Sequence, residues 1–372
     1  MKTQLKNKIV TVLFAGLILA SFLLCLIKPV TEYSDAERRN LATFPKLTWE
    51  TILDKTFQEK FKDYASDQFP LRDTFRSIKA FFQLNVLGFR ENNGLAIMDG
   101  YIAKIENFTN TASIENAVNK FNSIYNKHFA GTDAKVFLSI VPDKGYFFAE
   151  AGYPSLDYAL IEDTLREGLS YMEYIDLFHV LTLEDYYKTD THWSQEKLNS
   201  TVGALAEKMG FSVSRDYTAK KLNGFYGVYY GQAALPMASE SLIYLTNETL
   251  SACTVYDYMS GKTYPLYREE LFAKSDDSKD PYNVFMGGAS ALPLLRIDNP
   301  NATTDKQLIL FRDSFGSSIA PLLAEGYSSI ILVDIRYGSF DIMKQFYKID
   351  ITDQDVLFLY SSLILNSSFS FK

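Results

Sequence analysis

The chain has only three histidines in 372 residues, and one of them, His192, stands two positions after Asp190 in the stretch YYKTDTHWSQ. The other two, His128 in NKHFA and His179 in DLFHV, have no acidic neighbour so close. A carboxylate that accepts a hydrogen bond from one imidazole nitrogen fixes the tautomer, stabilises the imidazolium and leaves the other nitrogen free as a base. In extended backbone, residues two apart project to the same side, so Asp190 and His192 can converge on one spot. Spacing alone equally suits an aspartate that caps a turn and a histidine buried beside Trp193.

A nucleophile for such a base stands far along the chain. In QLILFRDSFGSS, residues 307–318, Ser314 follows an apolar run with strand character and precedes a turn at Gly316. The C-terminal end of a strand is where an α/β enzyme presents a nucleophile. Backbone N–H groups of Ser314, Phe315 or Gly316 are then placed to donate to an oxyanion. A serine hydroxyl that merely caps a turn is the alternative. Pro321 fits a following helix if it lies in the first turn.

These side chains need a scaffold that holds them still. Leu198, Val202, Leu205 and Met209 recur at helical spacing and Gly210 ends the run, so a helix follows the Asp/His segment, with Ser194 as its expected N-cap. The positive end of that helix opposes protonation of His192, which Asp190 offsets. Short apolar runs at 134–141, 307–311, 329–333 and 356–360 alternate with helical segments. That pattern predicts parallel strands buried on both faces, and hence an α/β fold with helices flanking the sheet. Residues 57–87 read as helix broken at Pro70. The stretch 224–304, rich in tyrosine and weak in periodicity, reads as a long insertion over the sheet. Tyr226, Tyr229, Tyr230, Tyr256 and Tyr258 within it are candidates to stack on a ligand or to pack with their hydroxyls satisfied.

A net charge of −8, with no run of Lys and Arg, argues against phosphate-backbone binding, so no nucleic acid partner is expected. Residues 9–27 are unbroken apolar sequence. As a helix they extend about 28 Å, close to the roughly 30 Å of a hydrocarbon core. Lys2, Lys6 and Lys8 precede them, which keeps residues 1–8 in the cytoplasm and exports the rest. The run leads into KPVTEYSDAERRN without a small-residue cleavage pattern, so an uncleaved anchor is expected, followed by a tether at 28–55 and an extracytoplasmic domain at 56–372. Cys25 lies in the anchor and Cys253 is alone beyond it, which leaves no disulfide to staple the fold.

Taken together, FKDYASDQFPLRD, NNGLAIMDGYIAKI, VPDK at 141–144, YYKTDTHW, LFRDSFGSS and VDIRYG resemble the DHHW-motif proteins of bacterial envelopes, and more distantly the SGNH-like alginate O-acetylation proteins. The resemblance implies an SGNH-hydrolase-like sheet with the catalytic order permuted, Asp190 and His192 before Ser314. Thr191 occupies the place of the second histidine of the family's name, whereas the acting pair in the related acetylation proteins is the Asp and the last His, here Asp190 and His192. Such sites draw further oxyanion donors from a glycine and an asparagine. Here FMGGASAL supplies Gly287 and Gly288 but has Ala289 where Asn is expected. Tyr187, Trp193, Lys144 and Arg336 are the candidate substrate contacts, the last two also suiting structural pairing with carboxylates.

The function so implied is a membrane-anchored serine acyltransferase or acetylesterase acting on O-acetyl groups of an envelope polysaccharide, with a membrane-bound O-acyltransferase as partner and no cofactor. A catalytically silent glycan-binding or scaffold protein on the same fold is the competing reading. A metal hydrolase is disfavoured because His128 and His179 stand in no ligand-like spacing with Asp190 and His192.

Overall fold

The computed structural model describes residues 2–214, 216–272, 280–287, 292–351 and 354–372. It forms two compact units, Met1–Asn92 with Tyr230–Pro236, and Asn93–Tyr229 with Met237–Lys372.

The first unit begins with helix α1, Lys2–Ile27, whose 22-residue segment Gln4–Cys25 is long and apolar enough to cross a membrane. Helices α2, Thr56–Asp67, and α3, Arg72–Phe81, flank Pro70, which cannot continue α2 because it lacks an N–H and its ring crowds the preceding backbone. The stretch 28–55 is more ordered than a tether. It carries a hairpin, Tyr33–Ser34 against Arg39–Asn40, and a short helix, Trp49–Leu53. The reason is electrostatic: Glu37 and Asp67 are buried, and Arg39 bridges them at 2.6 Å each.

The second unit is built on an eight-stranded sheet. Its strands are β1, Val136–Val141; β2, Glu173–Tyr174; β3, Thr254–Asp257; β4, Lys262–Pro265; β5, Leu294–Asp298; β6, Gln307–Arg312; β7, Ser329–Val333; and β8, Asp355–Ser361. The order is β4-β3-β5-β7-β6-β8-β1-β2. The four apolar runs expected as parallel strands are β1, β6, β7 and β8, neighbours at the centre and mutually parallel. β3, β4 and β5 extend one edge antiparallel. These three strands come from the stretch expected to lie over the sheet. They join its edge instead, where antiparallel ladders need no crossover helix.

Alternation along each central strand divides the core into two layers. Leu308, Leu310, Leu357 and Leu359 face helices α6, Asn199–Met209, and α7, Phe315–Leu323. Ile309, Phe311, Val356 and Phe358 face α4, Thr111–His128; α5, Tyr158–Gly168; and α8, Phe340–Tyr347. Parallel register places Phe311 opposite Phe358, their rings stacked at 4.5 Å. Pro321 is the seventh residue of α7, beyond the expected first turn, and a 3₁₀ turn, Ala324–Gly326, follows the helix.

Candidate active site

The Asp/His segment is a tight loop closed by an antiparallel bridge between Tyr186 and Trp193. The Tyr187 N–H donates to the His192 carbonyl at 3.1 Å and the Ser194 N–H to the Asp185 carbonyl at 2.7 Å. Glu240 secures the loop's tip from outside: its carboxylate accepts from the Lys188 N–H at 2.6 Å, the Thr189 N–H at 2.7 Å and the Thr189 hydroxyl at 2.6 Å. Gly227 then packs directly on the loop. A Cβ there would stand 2.3 Å from the backbone N and Cα of Asp190, so only glycine allows this approach. Ser194 precedes a 3₁₀ turn, Gln195–Lys197, and its hydroxyl donates to Glu196 at 2.6 Å, so it does not make the expected cap to α6.

Within this frame the carboxylate of Asp190 is buried. One oxygen accepts from His192 Nδ1 at 2.6 Å and from the His192 backbone N–H at 3.1 Å, while the other accepts from the Val228 N–H at 2.9 Å. The arrangement makes Nδ1 the protonated nitrogen and turns Nε2 outward. Nε2 lies 2.8 Å from the hydroxyl of Ser314. The imidazole also lies flat on Tyr282, ring centroids 3.8 Å apart and planes 7° from parallel, which fixes its remaining rotation. Burial pushes the Tyr282 phenol well above its usual range, so it stays protonated and donates to Ser318 at 2.8 Å.

Ser314 caps α7 immediately after β6, so the helix's positive end faces its oxygen and favours negative charge developing there. The structure thus brings Asp190, His192 and Ser314 into one hydrogen-bonded line from residues 122 apart in sequence. That line can move a proton from the serine hydroxyl to the imidazole while the carboxylate stabilises the resulting charge.

Three of the expected oxyanion donors are engaged within the fold. The Phe315 N–H donates to the Asp313 carboxylate at 2.9 Å, the Gly316 N–H to the Asp313 carbonyl at 3.2 Å, and the Gly287 N–H to the Asn283 carbonyl at 2.8 Å. Asp313 is engaged on both sides, its second oxygen taking the Ser361 N–H at 2.8 Å, and so it stitches the turn to β8. Gly288 and Ala289 lie outside the described residues. The Ser314 N–H is the turn amide with no partner among the described residues. Gly316 has a packing role: a Cβ there would meet Arg312 Cβ at 2.5 Å.

Three of the residues expected at a substrate are buried in the frame. Trp193 is fully buried and donates through Nε1 to Ser318 at 2.9 Å, tying the Asp/His loop to α7. Tyr187 packs its ring on Phe225 at 4.8 Å. Lys144 is buried with Nζ donating to the carbonyls of Tyr187 at 2.9 Å and Lys188 at 3.2 Å, and burial pulls it down to about 7. Arg336 is partly exposed and forks onto Asp334 at 2.6 and 2.9 Å. At the position of the family's second histidine, Thr191 accepts a hydrogen bond from Tyr229 at 3.1 Å.

Sequence reasoning missed Tyr282, Glu240 and Gly227. Each reaches the loop through tertiary contact from more than 35 residues away, and none stands in a motif. The one available signal was glycine in GFYGVYYG, since three glycines among aromatics mark close backbone approach.

No protein-family model and no curated protein matches the chain. Solved structures do. A DHHW family protein from Eubacterium siraeum matches with a TM-score of 0.58 at 19% identity, over 74% of this chain and 93% of that one. Bacillus cereus PatB1, solved with a sulfonyl adduct, matches with a TM-score of 0.56 at 18% identity, over 73% and 94%. A looser match, with a TM-score of 0.42 at 15% identity over 74% and 95%, is the O-acetyltransferase domain of Pseudomonas putida AlgJ. The chain therefore has the α/β fold of the DHHW family protein and of PatB1.

Proposed function

We propose that the chain is a membrane-anchored serine acyltransferase or acetylesterase acting on O-acetyl groups of a bacterial envelope polysaccharide. The observation that carries this reading is the continuous relay Asp190–His192–Ser314, with donor-acceptor separations of 2.6 and 2.8 Å. His192 Nε2 takes the Ser314 proton as Oγ attacks the acyl carbon. The imidazolium returns it to the departing oxygen, leaving an acyl-serine and a free alcohol. A sugar hydroxyl, deprotonated by the same nitrogen, then accepts the acyl group, or water does and the product is a free carboxylic acid. The resemblance to the alginate O-acetylation proteins supports the glycan as acceptor and a membrane-bound O-acyltransferase as the partner that delivers the acyl group. The lysines at 2, 6 and 8 support an orientation with residues 1–8 inside, 9–27 crossing and the domain after 28–55 outside.

A silent glycan-binding scaffold is the second reading. It is favoured by the engagement of the Phe315, Gly316 and Gly287 amides within the fold, which leaves fewer donors for an oxyanion. Hydrolysis of p-nitrophenyl acetate by the full-length chain in detergent, compared with Ser314→Ala and His192→Ala, separates the two. Activity lost in both folded variants supports the acyl-serine enzyme; a rate equal in all three supports the scaffold.

A further inference from the structure

Helix α3 is turned inside out for a protein surrounded by water. Two arginines of its polar side are committed to the interior of the first unit, while Asp73 stays exposed: Arg72 and Arg76 both pair with buried Glu37, the latter at 2.7 Å, and Arg72 also reaches Asp67 at 3.2 Å. Its apolar side faces out. Leu71, Phe75, Ile78, Phe82, Val86 and Phe89 recur at spacings of four, three, four, four and three residues, and every one is at least half exposed. A helix surface this apolar, with Arg72 and Arg76 turned to the buried Glu37, matches a surrounding of hydrocarbon.

The same unit supplies the hydrocarbon's address. Lys28 and Thr31, where α1 ends, are bonded to the end of α2. The Lys28 ammonium donates to the Gln68 carbonyl at 3.4 Å, the Thr31 N–H to the Gln68 side chain at 3.0 Å, and the Gln68 amide back to the Thr31 carbonyl at 2.8 Å. Leu17 and Phe22 of α1 line one cavity of about 720 Å³ together with Phe44, Phe61, Phe69 and Phe75. The α1 residues that line it run from Cys25 to Leu17, about 3 to 15 Å down the helix axis from Ile27, within the nearer half of a typical hydrocarbon core. Aromatic rings that share a cavity with this part of a membrane-crossing helix lie at lipid depth.

We propose that α3 and the turn after it form a second membrane-contacting element, an interfacial helix whose Phe75–Ile78–Phe82 face is immersed in the lipid bilayer beside α1. The exposed cations Lys62 and Lys79 then reach outward to the headgroups. α1 and α3 together hold the first unit against the membrane by two elements, which removes the freedom of a single anchor.

The test uses the full-length chain with Cys25→Ala; Cys253 is buried. A nitroxide is attached at Ile78→Cys or Phe82→Cys, and at exposed Lys262→Cys as control. Each is reconstituted in phosphatidylglycerol/phosphatidylethanolamine vesicles, and collision with oxygen and with a water-soluble nickel chelate is measured. The expected result is high oxygen and low nickel accessibility at 78 and 82, with the reverse at 262. Nickel access at 78 and 82 equal to that at 262 overturns the proposal. So does protection from both reagents, which would show another protein or a second copy covering this face.

Discussion

Gly227→Ala should disable the chemistry without touching any reacting atom. The alanine methyl would stand 2.3 Å from the Asp190 backbone N and Cα and from the Thr189 carbonyl carbon. Ordinary carbon contacts begin at about 3.5 Å, so the loop must retreat by about 1 Å. It cannot bend only at Asp190, because Glu240 holds Thr189 by two hydrogen bonds and the Tyr187 and His192 backbones are bonded to each other. The retreat therefore carries Asp190 and His192 together and stretches the 2.8 Å contact to Ser314 out of hydrogen-bonding range. A misplacement of about 1 Å costs about a hundredfold in rate. The overpacking itself costs about 1–3 kcal/mol of stability. The assay is ester hydrolysis by the full-length chain, read as kcat and KM, beside a thermal melt. The expected result is a folded protein with a lowered melting temperature, kcat down about a hundredfold and KM little changed. A folded Gly227→Ala protein with wild-type kcat would refute the argument that this close approach sets the position of the relay.

Asp190→Asn keeps the loop's shape but removes the charge that supports the imidazolium, and kcat should fall about ten-thousandfold, as checked by single-turnover acylation. Tyr282→Phe retains the ring under His192 and should stay within a few-fold of wild type in kcat. Tyr282→Leu removes a stacking contact of about 1 kcal/mol and should lose about tenfold or less, a contrast that the same assay reads. Lys144 binds its proton up to its ordinary 10.5 when unfolded but is pulled down to about 7 by burial in the folded chain. The unfolded state then holds more protons between those values, so the Lys144 contribution makes stability rise with pH across that window. Denaturant unfolding at pH 7 and pH 9 should show Lys144→Met lacking this rise; an identical pH dependence in both proteins would remove the basis for a depressed Lys144.

The central sheet was legible because β1, β6, β7 and β8 are buried on both faces and therefore continuously apolar. β3, β4 and β5 were not, since strands such as Lys262–Pro265 are short and half wet, and their pattern follows neither period clearly. Asp190 and His192 could be paired from sequence because two residues of separation keep them together locally, although the segment is a bend in which the His192 N–H donates to Asp190 and not the expected extended stretch. Ser314 could be placed only as the residue after a strand; its 2.8 Å contact with His192 depends on how β6 and the loop at 186–193 meet. The engagement of the Phe315 amide was not legible, because an amide at a helix start is free only if no side chain caps it. Asp313, one residue before the serine, does so. Lys144 and Trp193 drew attention as members of motifs, and burial gives them to the frame rather than to the surface.

The most direct test of the relay is covalent capture at Ser314. The full-length chain is treated with an aromatic sulfonyl fluoride, which sulfonylates an activated serine hydroxyl with loss of fluoride, and the modified residue is located by peptide mass spectrometry. One sulfonyl group on Ser314, absent from Ser314→Ala and formed far more slowly in His192→Ala, is the predicted result. Modification scattered over exposed tyrosines and lysines, with Ser314 untouched in a folded protein, would contradict it.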